Sequence, residues 1–574
     1  MNGAPPAGQA SQAAPAGRRR GILALWILPL LFLVVFFFVP LGAILRLAGE
    51  MALREGFDPA ILGRVGRPLS FTLFQAGLST LLTLLVGLPA AYVFGRFTFP
   101  GKGLLRILTT LPFILPTVVV AASFNALLGS RGWVNLLLMS VLNLEAPPVQ
   151  ILNTLWAILL AHVFYNTTVI IRVIGGAWEQ LDPRLEQAAR VLGASAWRAF
   201  WEVTFPLLRP AILAALLLVF MFDFTSFGVV LLLGGPRYAT LEVEIYIQAL
   251  QMLNLPLAGL LSVIQLLFTL LLSVAYSAVS ARRAIQLAPR FRGEGLRRVA
   301  GWRDRLVLGI VVVVLVCLLV SPLAALAVRS VTQLEPGGQG GAAARLTLTY
   351  YTELFVNRRQ SLFYVPPIEA AFNSLVYAVI TVVISLVLGF LAAYSLARPG
   401  RLNRLLDPLL MLPLGASAVT LGLGFIVTFN RPPLDARSFP WLIPIAHSLV
   451  ALPFVVRTLQ PALSSIPITL RQAAAVLGAS PWRVWREVDL PIVSRAALVG
   501  AIFSFTISLG EFGATSFLSR PEFPTLPVAI FRFLSQPGPL NYGQALAMAT
   551  LLLLVSGLSI LVLERFRAGG SGDF

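Results

Sequence analysis

Long apolar runs alternate with short polar breaks along nearly all of the 574-residue chain. A helix rises 1.5 Å per residue and the hydrocarbon core of a bilayer is about 30 Å thick, so runs of about 18 or more apolar residues predict membrane-crossing helices. Such runs fall near 22–45, 70–95, 104–128, 151–172, 208–233 and 258–280, and again near 304–328, 371–396, 405–429, 440–458, 492–514 and 543–564. The predicted fold is therefore all-α: a polytopic membrane protein of about 12 transmembrane helices, six in each half. The run from Ile22 to Leu45 is too long for a signal-peptide core and is expected to stay as the first span.

The polar breaks carry the most information. Glu186–Pro206 reads EQAARVLGASAWRAFWEVTFP, and Arg471–Pro491, 285 residues on, reads RQAAAVLGASPWRVWREVDLP, with 13 of 21 positions identical. The same offset matches His162 with His447, Arg172 with Arg457, and Phe227-Gly228 with Phe512-Gly513. Upstream, Gly87–Tyr92 matches Gly389–Tyr394 at an offset of 302, which leaves about 16 extra residues in the first half around 129–150. Six crossings return the chain to the same side, so the two six-helix repeats are parallel, related by a pseudo-two-fold axis along the membrane normal. The expected segments are a disordered cytoplasmic tail over 1–20, a first repeat over 21–288, a basic linker over 289–303 and a second repeat over 304–574.

Composition agrees with this class. Hydrophobic residues make up 57% and charged residues 12%, against about 25% charged in soluble domains. The net charge of +19 would suggest nucleic acid in a soluble protein. Here the arginines gather at span ends, as in Arg18-Arg19-Arg20, Arg398–Arg404 and the seven arginines of 282–303. The positive-inside rule then puts both termini and both repeated loops in the cytoplasm, with no role for nucleic acid. The long outer loop, 329–370, holds a flexible Pro336–Gly341 stretch. A single cysteine, Cys317, rules out an internal disulfide and is expected to be a small buried apolar residue.

Each repeated loop has a readable geometry. Asp182-Pro183 gives a helix N-cap and a first-turn proline. Leu185, Ala188, Ala189 and Leu192 share one face. Gly193 and Gly478 stand where a left-handed C′ residue ends a helix. Ser195 and Ser480 cap a second short helix, and Pro206 and Pro491 are expected to open the next span. Helix, turn, helix with exposed Trp and Arg suits docking into a groove on another protein; an interfacial helix lying on lipid is the alternative.

These loops resemble the cytoplasmic coupling loop, the "EAA" motif, of permease subunits of ATP-binding-cassette (ABC) importers that work with a binding protein. The motif's counterparts are Gln187-Ala188-Ala189 and Gly193, and Gln472-Ala473-Ala474 and Gly478; glutamine replaces the family's glutamate in both copies. Asp489-Leu490-Pro491 keeps the family's x-Leu-Pro ending, from which Thr204-Phe205-Pro206 departs. The resemblance implies two copies of an ATPase subunit docking on Gln187, Ala188, Ala189, Gly193, Ala194, Trp197 and Arg198 and on Gln472, Ala473, Ala474, Gly478, Ala479, Trp482 and Arg483. It also implies an extracytoplasmic substrate-binding protein, an inner-membrane location and the whole chain as two fused permease halves. Within the family the fused layout resembles thiamine permeases, through Gly132-Trp133, His162–Asn166, Leu233–Pro236 and Thr525–Pro527, and the related iron(III) permeases.

Candidate pathway residues follow from charge. A carboxylate at the bilayer centre costs about 2.5–3.5 kcal/mol on insertion scales, so Asp223 and Glu511 are expected to face protein or water, guiding a cation, pairing with an arginine or bonding helices together. Phe222, Phe224, Phe227 and Phe512 could stack on an aromatic substrate or simply pack. His162 and His447 have no carboxylate or second histidine at ligand spacing and are expected to be packing residues rather than a metal site; Arg172 and Arg457 are expected to snorkel at span ends. No P-loop, metalloprotease motif or nucleophile elbow occurs, so neither catalytic residues nor cofactors are expected and ATP hydrolysis is assigned to a separate subunit. The rival from another class is an ion-driven secondary transporter, in which the membrane acids would carry the coupling ions.

Overall fold

The computed structural model describes residues 16–55, 59–235, 237–281, 296–334, 344–357, 365–398, 400–432, 434–435 and 438–567. Most of the expected tail, the first part of the linker (289–295) and the Pro336–Gly341 stretch lie outside these residues. Among the described residues, 10 helices are long and apolar enough to cross a membrane. They are Ala24–Leu53, Ile61–Arg96, Leu155–Gln180, Ala196–Phe224 and Leu255–Ser280, then Trp302–Ser330, Pro367–Leu396, Leu442–Ser464, Pro481–Gly510 and Pro539–Val562.

The third and ninth expected spans differ from straight helices. Lys102–Ile114 and the segment from Thr117 bend by 110°, and Leu402–Gly415 and Ala418–Thr428 bend by 95°. Leu115 and Ala416 take extended backbone at the breaks, and Ser417 turns its hydroxyl back to cap Thr420 N–H at 3.0 Å. The fifth and eleventh spans also end early, at Phe224 and Gly510, and short helices Gly228–Leu233 and Gly513–Leu518 follow. At their other ends Pro206 and Pro491 do not open new helices; each span continues from the second helix of its repeated loop through a wider turn, Phe200–Thr204 or Trp485–Asp489.

The Gly87 and Gly389 motifs have a packing reason. A Cβ on Gly87 would come within 2.6 Å of Ile170, and one on Gly389 within 2.5 Å of Val455. Ile170 and Val455 are themselves partners across the repeat. Ile61–Arg96 therefore meets Leu155–Gln180 as Pro367–Leu396 meets Leu442–Ser464, by the close approach that small residues permit between membrane helices. Gly87→Val is expected to destabilise the chain by about 1–3 kcal/mol through overpacking, seen as a lower Tm in detergent.

The first helix of each repeat lies against the other repeat. Residues of Ala24–Leu53 pack on Pro367–Leu396 and Ala418–Thr428, with Trp26 Nε1 donating to Asn403 Oδ1 at 3.2 Å. Trp302–Ser330 packs on Thr117–Leu128 of the first repeat. Cys317 on this helix is exposed, not buried as its residue type suggested, because the helix offers it on its outward face. The extra segment of the first repeat forms the helix Trp133–Leu142. Buried Asn135 ties it down, donating to the carbonyls of Gly129 and Val149 and accepting from Val149 N–H, each at 2.8 Å.

Candidate functional site

The two repeated loops have the same backbone. Asp182 accepts from Arg184 N–H at 2.8 Å and starts the helix Pro183–Val191. That helix ends at Gly193, φ +91°, where Ala194 N–H reaches Ala189 O and Gly193 N–H reaches Arg190 O. Gly478, φ +83°, ends Ile468–Val476 with the same two bonds, from Ala479 to Ala474 and from Gly478 to Ala475. Ser195 and Ser480 cap the following turns, and Arg198–Glu202 and Arg483–Glu487 pair one helical turn apart at 2.8 and 3.0 Å.

At the tips Val191 and Leu192 are each 87% exposed, and Val476 and Leu477 87% and 86%. Trp197, Trp482, Gln187, Gln472, Ala188 and Ala473 are exposed as well, while Ala189, Ala474, Ala194 and Ala479 are half-buried. The anchors beneath differ. Glu186 pairs with Arg96 on the adjoining span, whereas Arg471, at the equivalent position, pairs with Asp489 of its own loop at 2.8 Å.

The four helix breaks converge on a central cavity of about 480 Å³. Both repeats line it, through Leu115, Thr117, Ser226, Phe227 and Gly228 from the first and Gly415–Val419 and Gly510–Gly513 from the second. Three carboxylates, Asp223, Glu242 and Glu511, border it, and among the described residues its lining holds no lysine or arginine. In a chain with a net charge of +19, that makes the cavity an acidic island. Phe113, Tyr165, Phe222, Phe227 and Phe512 supply aromatic walls.

The histidines lie closer to carboxylates than their sequence spacing suggested. His162 Nδ1 is 3.4 Å from Asp223 Oδ1 and 2.9 Å from Ser79 Oγ, and its Nε2 is 2.8 Å from Ser226 Oγ. His447 Nδ1 is 2.7 Å from Ser508 Oγ, and its Nε2 is 3.2 Å from Glu511 Oε2 and 2.8 Å from Thr515 Oγ1. At the 285-residue offset Asp223 corresponds to Ser508 and Ser226 to Glu511. Each buried histidine thus meets one acid and two hydroxyls, and at the equivalent positions 223/508 and 226/511 acid and hydroxyl are exchanged between repeats.

The acids are not equivalent. Glu511 is spent on structure: its carboxylate accepts from the N–H groups of Ala514 and Thr515 at 2.8 and 2.9 Å and from the Thr515 hydroxyl at 2.5 Å. Glu242 accepts from Gln265. Asp223 is fully buried, and its Oδ1 accepts from Asn166 Nδ2 at 2.7 Å. Its Oδ2 has no hydrogen-bond partner among the described residues. A buried acceptor left open is uncommon enough to need a reason. Glu242 was missed in the sequence because it lies outside every expected span, and among the described residues neither expected acid meets an arginine. Phe224 is no wall of the cavity; it stacks on Phe220 and Phe268 instead. Arg172 and Arg457 lie inside their helices, with Arg172 donating to Thr110 at 2.8 Å and Arg457 3.4 Å from Asp407.

One end of the cavity is closed by aromatic rings. Phe227 and Phe512, equivalent residues of the two repeats, stack on each other with centroids 5.5 Å apart and planes at 23°. Both are buried, whereas Phe113 and Leu414, on the loop-side halves of the bent pairs, are 47% and 45% exposed. The rings therefore close the end away from the repeated loops.

Comparison with known proteins gives this arrangement a setting. The ThiP thiamine transport system permease protein of Escherichia coli (strain K12) is 28% identical over 506 residues, 86% of this chain and 88% of that protein. The probable ABC transporter permease protein y4fN of Sinorhizobium fredii (strain NBRC 101917 / NGR234) is 28% identical over 553 residues, 94% and 95% of the two chains. A solved bacterial alginate ABC transporter, in complex with its alginate pentasaccharide-bound periplasmic protein, aligns with a TM-score of 0.39 at 20% identity, over 47% of this chain and 97% of that one. The family model described as "Binding-protein-dependent transport system inner membrane component" matches residues 84–285 and again residues 385–567. The chain belongs to that family, as an ABC importer inner-membrane permease in which two copies of the family's fold are fused.

Proposed function

We propose that this permease carries thiamine, driven by two copies of an ATPase subunit docked on the loops at 186–206 and 471–491 and supplied by a binding protein on the opposite side. The observation that carries the substrate is the acidic cavity: three carboxylates and five aromatic rings, with His162 but no lysine or arginine among the described residues of the lining. Thiamine is a cation with two aromatic rings, and a cavity of about 480 Å³ lies within the roughly 300–1,000 Å³ usual for small-molecule sites. Relatives named as thiamine permeases, at 26–28% identity, agree with this reading. Iron(III) is the second reading; among the described residues no three of His, Cys, Asp and Glu come together to hold a metal ion.

The loops transmit force rather than perform chemistry. Val191 and Leu192, with Val476 and Leu477, offer two equal apolar tips to two equal partners, and the Schellman turns at Gly193 and Gly478 fix their direction. Each loop leads without a break into the span that ends at the cavity, so displacement of a tip moves Asp223 or the Glu511 turn directly. Both termini and both loops are assigned to the cytoplasm. The state described is then open toward the ATPase side and closed by Phe227 and Phe512 toward the binding protein.

The substrate is tested by reconstituting the permease with its ATPase and binding protein in lipid nanodiscs. Binding protein loaded with thiamine is expected to raise ATP hydrolysis several-fold, and binding protein offered iron(III) is not. Stimulation by the iron(III) form alone would exchange the two readings.

A further inference from the structure

The aromatic closure is connected to the surface by one short helical segment in each repeat. Tyr246, on Leu241–Tyr246, packs on Phe227 with centroids 5.4 Å apart. Phe531, the residue 285 positions on, packs on Phe512 at 5.4 Å. In the first repeat the segment continues through Ile247–Gln251 and ends in Met252 and Leu253, which are 65% and 77% exposed.

Leu253 has φ +55°. A branched side chain in the left-handed region crowds its own carbonyl and is an outlier there. Among the described residues the other non-glycine positions with positive φ are Asn143 and Asn153, a residue type that tolerates it. The position 285 residues on is Gly538, φ +111°. The first repeat therefore holds leucine where the second holds the residue the backbone favours. The turn itself is fixed, with Met252 N–H donating to Ile247 O at 2.9 Å and Asn254 N–H to Gln248 O at 2.7 Å. A strained apolar residue pointing away from the protein gives the fold nothing, and such strain gathers where a partner is met.

The turn lies at the end of the molecule opposite the repeated loops, because Leu255–Ala281 leads from it back to the loop side. That is the face on which a binding protein of this family's transport systems delivers substrate. We propose that Met252-Leu253 is the contact through which the extracytoplasmic binding protein opens the aromatic closure, with Tyr246 carrying the displacement to Phe227. The inference rests on the importer reading.

The test uses the complete complex in nanodiscs, titrated with thiamine-loaded binding protein, with ATP hydrolysis, binding-protein affinity and Tm as readouts. Leu253→Gly keeps the left-handed backbone and removes the side chain. It is expected to keep or raise Tm, leave basal hydrolysis unchanged and raise the half-saturating binding-protein concentration at least tenfold. Tyr246→Ala is expected to leave binding-protein affinity within twofold and cut stimulation at least tenfold. An unchanged half-saturation in Leu253→Gly would overturn the proposal and assign the turn to the lipid headgroups. A lower Tm in that variant would overturn it too, by showing that the side chain serves the fold. If no loaded binding protein stimulates even the wild-type complex, the importer reading fails and takes the proposal with it; the wild-type control tells that failure from the other two.

Discussion

Replacing Leu192 and Leu477 together with aspartate is expected to abolish transport while the chain still folds. Both side chains are almost fully exposed, at 87% and 86%, so neither supports the core and Tm should be unchanged. In the assembled complex each is expected to fill an apolar pocket on an ATPase subunit. A charge buried there at two central contact points is expected to cost about 4 kcal/mol in all, roughly a thousandfold in affinity. Copurification of the ATPase with the permease checks this directly. The single variants should each lose about thirtyfold, because the two tips are equivalent. If the double variant retains the ATPase and its coupled hydrolysis, the loops are not the docking elements, and an interfacial role on lipid takes their place.

The second large effect separates two acids that look alike in the sequence. Asp223→Asn keeps the shape of the side chain but removes the open carboxylate oxygen beside the cavity. Losing a charged partner for a cationic substrate is expected to cost about 1.5–3 kcal/mol, roughly 10- to 100-fold in thiamine uptake. Tm should change little, since Asn166 can turn its amide to accept where it now donates at 2.7 Å. Glu511→Gln should behave in the opposite way. Its carboxylate accepts two backbone N–H groups and a hydroxyl, and an amide nitrogen cannot accept. Stability is expected to fall by about 1–3 kcal/mol, with a smaller effect on uptake by the protein that remains folded. Parallel measurements of uptake and Tm on the two variants decide it. A stability loss in Asp223→Asn with normal uptake would return Asp223 to a purely structural role.

What could be read from the sequence depended on distance along the chain. The loops were legible because everything that shapes them is local: Asp182, Gly193, Ser195 and their counterparts act within a few residues. The two parallel repeats were legible because the 285-residue offset repeats side-chain chemistry position by position. The helix breaks were not. Leu115-Pro116 and Ala416-Ser417 sit inside apolar runs whose hydropathy continues through them, and that continuity masked the local breakers there, Pro116 and the capping hydroxyl of Ser417. The pairs His162–Asp223 and His447–Glu511 join residues 61 and 64 positions apart, so spacing rules for ligands could not find them. One signal was available: the acids are out of register by three positions, and hydroxyls fill the vacated ones. The stack of Phe227 on Phe512 joins the two repeats. It was open to inference only from the rule that residues on a pseudo-two-fold axis meet their own equivalents.

The most direct test of the central claim is thiamine uptake into liposomes holding the permease with its ATPase and binding protein, with the energy source controlled. The account predicts uptake that requires ATP on the loop side and continues when an uncoupler removes every ion gradient. Uptake by the permease alone, driven by a proton or sodium gradient and indifferent to ATP, would contradict it and make Asp223 and Glu511 the coupling sites of a secondary transporter.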